Sequence, residues 1–313
     1  MRGALVAGVL LLVQGRYAAQ APTFTVTVDA VRLDVLAVNR GRPLVGLGLD
    51  DFELRDNGVV QRIQGVTQEE AALDAVLVLD RSDSVAGEPL DRLREAARTL
   101  IGALSRGDRA ALVTFSQQVT RPARLTAHLA AVQDAIDRVR PSGATAIFDA
   151  TYAALLLRDR TPNRTMLLVF SDGLDTASWL MPATVVEFAK QVDTVVYGIM
   201  FEPQPRETAP LFFTDRMSQR GSLIPQRPMA APPPDNVPAF LQAITDATGG
   251  RVLRARRDAA LREVFLAALR DMKARYVVTY VPAGVERRGW HTIEVRLARR
   301  NGTVTARKGY FVP

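Results

Sequence analysis

Residues 75–84 read Ala-Val-Leu-Val-Leu-Asp-Arg-Ser-Asp-Ser, a run of apolar residues followed at once by charged and hydroxyl side chains. An uninterrupted apolar run of this kind is typical of a strand that is buried on both faces of a parallel sheet. From Leu90 to Leu104, the apolar residues recur at helical spacing instead. The pattern therefore predicts a buried strand, a polar loop and a helix.

The same alternation of strands and helices continues to about residue 275. Further strands are predicted at 110–115, 166–170, 194–200 and 252–253, and helices at 129–139, from 147 onward, and at 182–191, 237–248 and 259–273. Buried strands that alternate with helices indicate a sheet that is covered on both faces. Residues 72–275 are therefore predicted to form an α/β domain with a doubly wound, mostly parallel, Rossmann-like sheet.

The flanking residues, 22–71 and 276–313, have apolar and polar side chains in alternation, which indicates half-buried strands. Asp56-Asn57-Gly58 predicts a tight turn between strands at 52–55 and 59–66. Asn301-Gly302 predicts a type I′ hairpin between strands at 291–298 and 303–311. Either block alone would expose an apolar sheet face. We therefore expect the two blocks to form one small immunoglobulin-like all-β sandwich into which the α/β domain is inserted.

Residues 1–21 have the features of a secretory signal peptide. Arg2 precedes an apolar run that is too short to span a bilayer comfortably, and Ala19-Gln20-Ala21 resembles a cleavage site. The pattern predicts export to the periplasm, the cell envelope or the extracellular space. Pro22 directly after the cleavage point disfavours cleavage, so an uncleaved signal anchor that holds the protein at the membrane is an open alternative.

The composition excludes several classes of site. The 313 residues include no cysteine and two histidines, which excludes thiolate and multi-histidine metal sites. The net charge is +7, and the residues from 251 onward comprise fifteen basic and five acidic ones. The arginines there alternate with apolar residues, as on the solvated face of a sheet. We therefore predict no nucleic-acid partner, and oxygen atoms remain as the ligands for any metal.

Oxygen-bearing side chains cluster where the predicted parallel strands end, the edge at which such sheets place their ligands. The first strand is followed by a D-x-S-x-S pattern, the strand at 166–170 by Ser-Asp-Gly, and a threonine opens the helix near residue 147. Two carboxylates and three hydroxyls suit a hard divalent cation, here predicted to be Mg²⁺, with Mn²⁺ and Ca²⁺ as alternatives. The predicted ligands are Asp80, Ser82, Ser84, Thr145 and Asp172.

These motifs resemble the metal-ion-dependent adhesion site of von Willebrand factor A domains, and the resemblance covers about 200 residues. The flanks also resemble bacterial, acidobacterial-type exported proteins related to this family, which end in a pattern like residues 306–310, Ala-Arg-Lys-Gly-Tyr. One departure is Asp83, since the family usually has a small residue there. This extra negative charge would change the preference for the metal or for an acidic ligand.

The resemblance implies a protein-binding module without catalytic activity. Ser82 and Ser84 would contact the metal directly, Thr145 directly or through water, and the aspartates mainly through water. An Asp or Glu side chain of a partner protein would complete the coordination. The resemblance thus implies an adhesion or scaffold protein that binds no small-molecule substrate.

The alternative function is that of a magnesium-dependent phosphohydrolase of the haloacid dehalogenase type, with Asp80 as nucleophile. That family needs a second aspartate two positions later as general acid and base, and Ser82 occupies that position. A serine hydroxyl cannot perform this proton transfer near neutral pH. Nucleotide-binding glycine motifs are also lacking.

A long proline-rich connection, residues 201–236, separates the strand at 194–200 from the next helix. Connections in α/β units usually have about 2–6 residues, and much longer ones tend to be functional or disordered. We expect this insertion to emerge at the metal-binding edge. Its apolar residues Leu211, Phe212 and Phe213 are candidate contacts to the partner.

Overall fold

The computed structural model describes residues 30–68, 71–157, 163–172, 174–201, 237–255 and 260–312. The predicted signal peptide therefore lies outside the described residues. In the described part of the chain, no helix has both the length and the apolar character needed to span a membrane.

The described part of the chain begins and ends with strands and alternates between strands and helices in between. The elements before the α/β region are β1 (Val31–Asn39), β2 (Arg42–Pro43), β3 (Phe52–Asp56), β4 (Val59–Gln61) and β5 (Ile63–Thr67). The α/β region comprises β6 (Leu73–Asp80), α1 (Glu88–Gly102), β7 (Arg109–Phe115), β8 (Val119–Thr126), α2 (Leu129–Asp137), α3 (Ile147–Leu155), β9 (Arg164–Ser171), α4 (Pro182–Ala189), β10 (Val195–Phe201), α5 (Val237–Thr248), β11 (Arg251–Ala255) and α6 (Ala260–Lys273). The final strands are β12 (Tyr276–Tyr280), β13 (Gly289–Leu297), β14 (Thr303–Thr305) and β15 (Gly309–Val312).

Within the described residues, the central sheet has six strands in the order β11-β10-β9-β6-β7-β8. All neighbouring pairs are parallel except β7 and β8, which form an antiparallel pair at one edge. Every residue of β6 is buried, because the strand is central and helices cover both faces. Side chains from α1, α2 and α6 form one core cluster with the sheet. Those from α3, α4 and α5 form the other.

The edge strand β8 was not predicted from the sequence. Arg121 and Arg124 in β8 are exposed, and Pro122 cannot donate a main-chain hydrogen bond. Proline and exposed charges are tolerated on an edge strand because one side of it has no neighbour to pair with. The strand therefore lacks the apolar run that identifies the buried strands.

The strands before and after the α/β region form two further sheets. One has the order β14-β1-β12-β5, with β2 also pairing with β1, and the other has the order β15-β13-β3-β4. Both sheets contribute side chains to a third core cluster, which includes Leu33, Leu54, Tyr276 and Ile293. Strands from the two ends of the chain thus pair directly, as β1 does with β12.

Two details of these flanking sheets correct the sequence prediction. The strand predicted at 59–66 is divided at Arg62, because β4 pairs with β3 in one sheet and β5 pairs with β12 in the other. The Asn301-Gly302 hairpin is wrong, since β14 pairs with β1 and not with β13. Glycine is needed at position 302 for a different reason: a Cβ atom there would lie 2.6 Å from the Val38 carbonyl oxygen.

Candidate metal site

Three strand ends meet at the carboxyl edge of the central sheet. Asp80, the last residue of β6, lies opposite Phe115 at the end of β7. On the other side of β6, Leu79 lies opposite Phe170 in β9, which ends at Ser171. The residues that follow β6, β7 and β9 therefore share one edge.

Asp80 is fully buried, and one of its carboxylate oxygens accepts a hydrogen bond: the main-chain N–H of Ser82 donates to Asp80 Oδ1 at 2.8 Å. Asp80 Oδ2 is also buried, but among the described residues it has no hydrogen-bond partner. Burial raises the pKa of Asp80 to about 7, the hydrogen bonds from Ser82 oppose this rise, and the carboxylates of Asp172 and Asp175 add to it. A bound cation would stabilise such a carboxylate, so Asp80 fits a metal-binding role.

The hydroxyl oxygens of Ser82 and Ser84 lie 2.9 Å apart. Ser82 is buried and Ser84 is exposed. Adjacent ligands of an octahedral Mg²⁺ ion, each at about 2.1 Å from the metal, are separated by roughly 3 Å. The spacing of the two hydroxyl oxygens therefore matches two neighbouring positions around a cation of this size.

Thr145 is buried on the loop before α3, and this loop is hydrogen-bonded to both neighbouring loops. The Asp83 main-chain N–H donates to the Gly143 carbonyl oxygen at 2.9 Å, which joins it to the D-x-S-x-S loop. On the other side, Thr176 N–H and Ala177 N–H donate to the Thr145 carbonyl oxygen at 2.8 and 2.9 Å. The Thr145 N–H donates to Thr176 Oγ1 at 3.1 Å. The threonine loop is thus held between the loops that follow β6 and β9.

Asp172 directly follows β9 and is partly buried. Its negative charge contributes to the raised pKa of Asp80. Because β9 pairs with β6 in parallel, the residues that follow the two strands lie at the same edge of the sheet. All five residues that the sequence singled out therefore lie at one edge of the sheet. Their binding of a metal remains a prediction.

Sequence reasoning missed two polar residues at this edge. Asp175 Oδ2 accepts a hydrogen bond from Ile147 N–H at 2.8 Å and thereby caps the N-terminus of α3. Ser116 follows β7, and its buried hydroxyl has no hydrogen-bond partner within the described ranges. Asp175 is 28 residues from the helix that it caps, so no local sequence signal could reveal its role. Ser116 belongs to no motif, although its position directly after a strand was a usable signal.

The donor set depends on hydroxyl groups as much as on carboxylates. Within the described ranges, no group of three or more His, Cys, Asp or Glu side chains could hold a metal ion. Ser82, Ser84 and Thr145 supply neutral oxygen donors, which hard divalent cations accept. The residues present therefore fit an Mg²⁺-like ion better than a soft metal. The side chain of Asp83 is exposed beside this set.

β10, the strand before the long connection, ends beside this site. β10 pairs with β9, and Met200 lies opposite Ser171. Phe201 is the buried last residue of β10, so the connection begins one residue later than predicted. Residues 202–236, with Leu211, Phe212 and Phe213, lie outside the described residues. The described end of β10 nevertheless shares its edge with Asp172.

Comparison with known proteins identifies the same region. Residues 75–174 match the family model of the von Willebrand factor type A domain. No curated protein sequence matches the chain. A solved structure titled von Willebrand factor type A from Catenulispora acidiphila has 14% sequence identity and a TM-score of 0.50, with 86% of this chain and 75% of that chain covered. At this identity, the likeness shows a shared fold.

Two further solved structures are similar at lower scores. The conserved hypothetical protein BatB from Bacteroides thetaiotaomicron has 15% identity and a TM-score of 0.47, with 64% of this chain and all of that chain covered. Proximal thread matrix protein 1 from the mussel byssus, in a structure titled with a zinc-occupied MIDAS motif, has 16% identity and a TM-score of 0.48. That alignment covers 68% of this chain and 48% of the mussel chain.

Proposed function

This chain carries a von Willebrand factor type A domain, and we propose that the domain is an exported, metal-dependent protein-binding module. The observation that carries the proposal is the buried Asp80 carboxylate, whose Oδ2 has no hydrogen-bond partner in the described part of the chain and lies at the edge shared with Ser82, Thr145 and Asp172. A desolvated carboxylate with an unused oxygen destabilises the fold unless a positive charge compensates for it. A bound cation would supply this charge.

Each side chain has a defined part in holding the ion. The Ser82 and Ser84 hydroxyl oxygens, 2.9 Å apart, would bind it directly. Thr145 would bind directly or through water, and Asp80 and Asp172 mainly through bound water. We propose Mg²⁺ as the cation, with Mn²⁺ and Ca²⁺ as alternatives. With few charged groups in contact, the cation would stay electrophilic and could accept a carboxylate oxygen from a partner's Asp or Glu.

The same residues argue against a catalytic role. A phosphohydrolase that used Asp80 as a nucleophile would need an acid or base where this chain has Ser82. The Ser82 hydroxyl lies against the Ser84 hydroxyl instead, and a serine hydroxyl cannot act as a general acid or base near neutral pH. We therefore propose that the protein has no hydrolytic activity. Magnesium-dependent phosphatase activity that is lost in Asp80→Asn would contradict this proposal.

The remaining parts of the proposal concern location and architecture. Residues 1–21 would direct export, and the β-strands of residues 22–71 and 276–313 would form one supporting sandwich. The direct pairing of β1 with β12 supports this arrangement. The partner would be a protein and not a nucleic acid, since the arginines from residue 251 onward alternate with apolar residues, as on the solvated face of a sheet.

The function is tested by capturing partners from a cell-envelope extract with immobilised protein, in Mg²⁺ and in chelator. We expect one or more proteins that bind wild type in Mg²⁺, elute with chelator and do not bind Asp80→Ala. Asp91→Ala, which changes an exposed carboxylate in the first turn of α1, is the matched control and should retain them. Partners that bind wild type and Asp80→Ala equally well would contradict a metal-dependent interaction.

A further inference from the structure

Three large apolar side chains are exposed on the segment that follows Asp172. Trp179 is 93% exposed, Met181 68% and Leu174 60%. We call these three residues the apolar rim. A tryptophan that is almost wholly in water contributes no packing to the fold. Clusters of exposed apolar side chains often mark interaction sites, and tryptophan is enriched among the residues that dominate binding energy.

The main chain beneath Trp179 is held in place. The Asp149 carboxylate accepts hydrogen bonds from Trp179 N–H at 3.0 Å and from Leu180 N–H at 2.9 Å. Asp149 lies in the first turn of α3, so the exposed indole is displayed from a turn that is anchored to a helix. A partner that packs on this ring does not have to order the main chain first, which lowers the entropic cost of binding.

The apolar rim belongs to the same hydrogen-bonded unit as the candidate metal ligands. Leu174 is two residues after Asp172. Trp179 is three residues after Thr176, whose main-chain N–H and hydroxyl oxygen both bond to the backbone of Thr145. The distance between a partner's group bound at the metal site and a partner's side chain packed on Trp179 would therefore be fixed.

The opposite flank of the site is basic. Arg81, Arg138 and Arg140 line a cavity of about 290 Å³, and Arg81 directly follows Asp80. The guanidinium groups of Arg81 and Arg140 donate to main-chain carbonyl oxygens, which leaves their positive charges in place. This flank thus attracts acidic partners.

We infer that the partner is a protein segment that combines an Asp or Glu side chain, which reaches the metal site, with a large apolar side chain a few residues away, which packs on Trp179. This inference rests on the proposed function and specifies its ligand. Charge complementarity with the metal site and with Arg81 selects the acidic residue, and the apolar rim selects its neighbour.

The test is the selection of random dodecapeptides displayed on phage against immobilised full-length protein in Mg²⁺, with elution by chelator. The same selection is made with Trp179→Ala, and with Phe311→Ala as the matched control. Phe311 is an aromatic residue of β15, 53% exposed, and belongs to the flanking sheets. Because Trp179 is almost wholly exposed, its replacement should leave the thermal unfolding temperature unchanged.

Wild type and Phe311→Ala should enrich peptides with an acidic and a large apolar residue at a recurring spacing. A synthetic peptide of this sequence should bind Trp179→Ala about tenfold more weakly, equivalent to about 1.4 kcal/mol, while Mg²⁺ affinity stays the same. Enriched acidic peptides without an apolar preference would overturn the inference but leave the proposed function standing. A wild-type dimer that Trp179→Ala dissociates would do the same, because it would show that a second copy of the protein covers the apolar rim. If no acidic peptide elutes with chelator, the proposed function fails as well.

Discussion

The main-chain N–H of Ser82 donates to one oxygen of the Asp80 carboxylate at 2.8 Å, and the other oxygen is buried without a partner among the residues that the structure describes. This half-satisfied carboxylate lies at the end of the central strand β6, where the fold brings three loops together. Its environment is unfavourable for a negative charge in the metal-free protein. The same environment becomes favourable when a cation is bound, and this connects the stability of the fold with its proposed function.

The metal-free protein should be less stable at high pH because of Asp80. The pKa of Asp80 is about 7 in the folded state, compared with an ordinary value of 3.8. Between these pH values, the folded state holds a proton that the unfolded state has lost, so the free energy of unfolding falls as pH rises from about 4 to 7 and then stays low. In chelator at pH 8, Asp80→Asn should therefore be more stable than wild type, by at most about 4 kcal/mol.

Urea unfolding at pH 5 and pH 8 measures this difference. The gain from Asp80→Asn should be clearly smaller at pH 5 than at pH 8, and saturating Mg²⁺ should stabilise wild type but not the variant. A gain that does not depend on pH would show that the Asp80 carboxylate carries no such penalty.

Asp175 should stabilise α3 through its cap. Its carboxylate accepts hydrogen bonds from Ile147 N–H and from Ser178 N–H. Loss of an N-terminal cap typically costs about 0.5–2 kcal/mol, so Asp175→Ala should lower the free energy of unfolding by that amount at neutral pH. Asp83→Ala removes an exposed carboxylate from the neighbouring loop and should change it much less. Equal effects of the two substitutions in denaturant unfolding would argue against the cap.

The strands at the two ends of the chain should fold as one unit. β12 lies between β1 and β5 in its sheet, and the Tyr276 hydroxyl bonds to Leu44 O and Leu47 N–H. Deletion of residues 276–313 should therefore abolish hydrogen-exchange protection in β1 and β5, whereas residues 72–275 should fold when expressed alone. Retained protection of β1 in the truncated protein would show that the N-terminal strands do not need the C-terminal ones.

The proline-rich connection should affect partner binding and not metal binding. It leaves the sheet beside the Asp172 edge, at the end of β10. Replacing residues 203–234 by a short Gly-Ser linker should preserve Mg²⁺ affinity in calorimetry and weaken the interaction with a captured partner. An unchanged partner affinity would identify the connection as a passive spacer.

The sequence indicated the parts of the fold that rest on local patterns. The apolar run of β6 and the helical spacing of residues 237–248 predicted the observed strand and α5, because burial of apolar side chains determines both patterns. β8 was missed because an edge strand does not need an apolar pattern. The turn at Asn57-Gly58 has the positive φ angles expected of a type I′ turn. Gly302 instead has an ordinary backbone conformation and is required by a close approach to Val38.

In the candidate site too, the sequence indicated the residues that form a local pattern and missed those that act over long sequence separations. Asp80, Ser82 and Ser84 are recognisable because they are close in sequence and follow a buried strand. Asp175 and the apolar rim acquire their roles through hydrogen bonds to α3 and to the Thr145 loop, over sequence separations of about 30 residues. Such long-range contacts depend on the assembled sheet, and no single-sequence pattern encodes them.

The most direct test of the account is titration calorimetry of Mg²⁺ into the metal-stripped full-length protein. We predict one binding site in wild type, its retention in Asp91→Ala and its loss in Asp80→Ala. Circular dichroism of each variant establishes that it is folded before titration. An isotherm for folded Asp80→Ala that is the same as that of wild type would contradict the assignment of the metal site, and with it the proposed function.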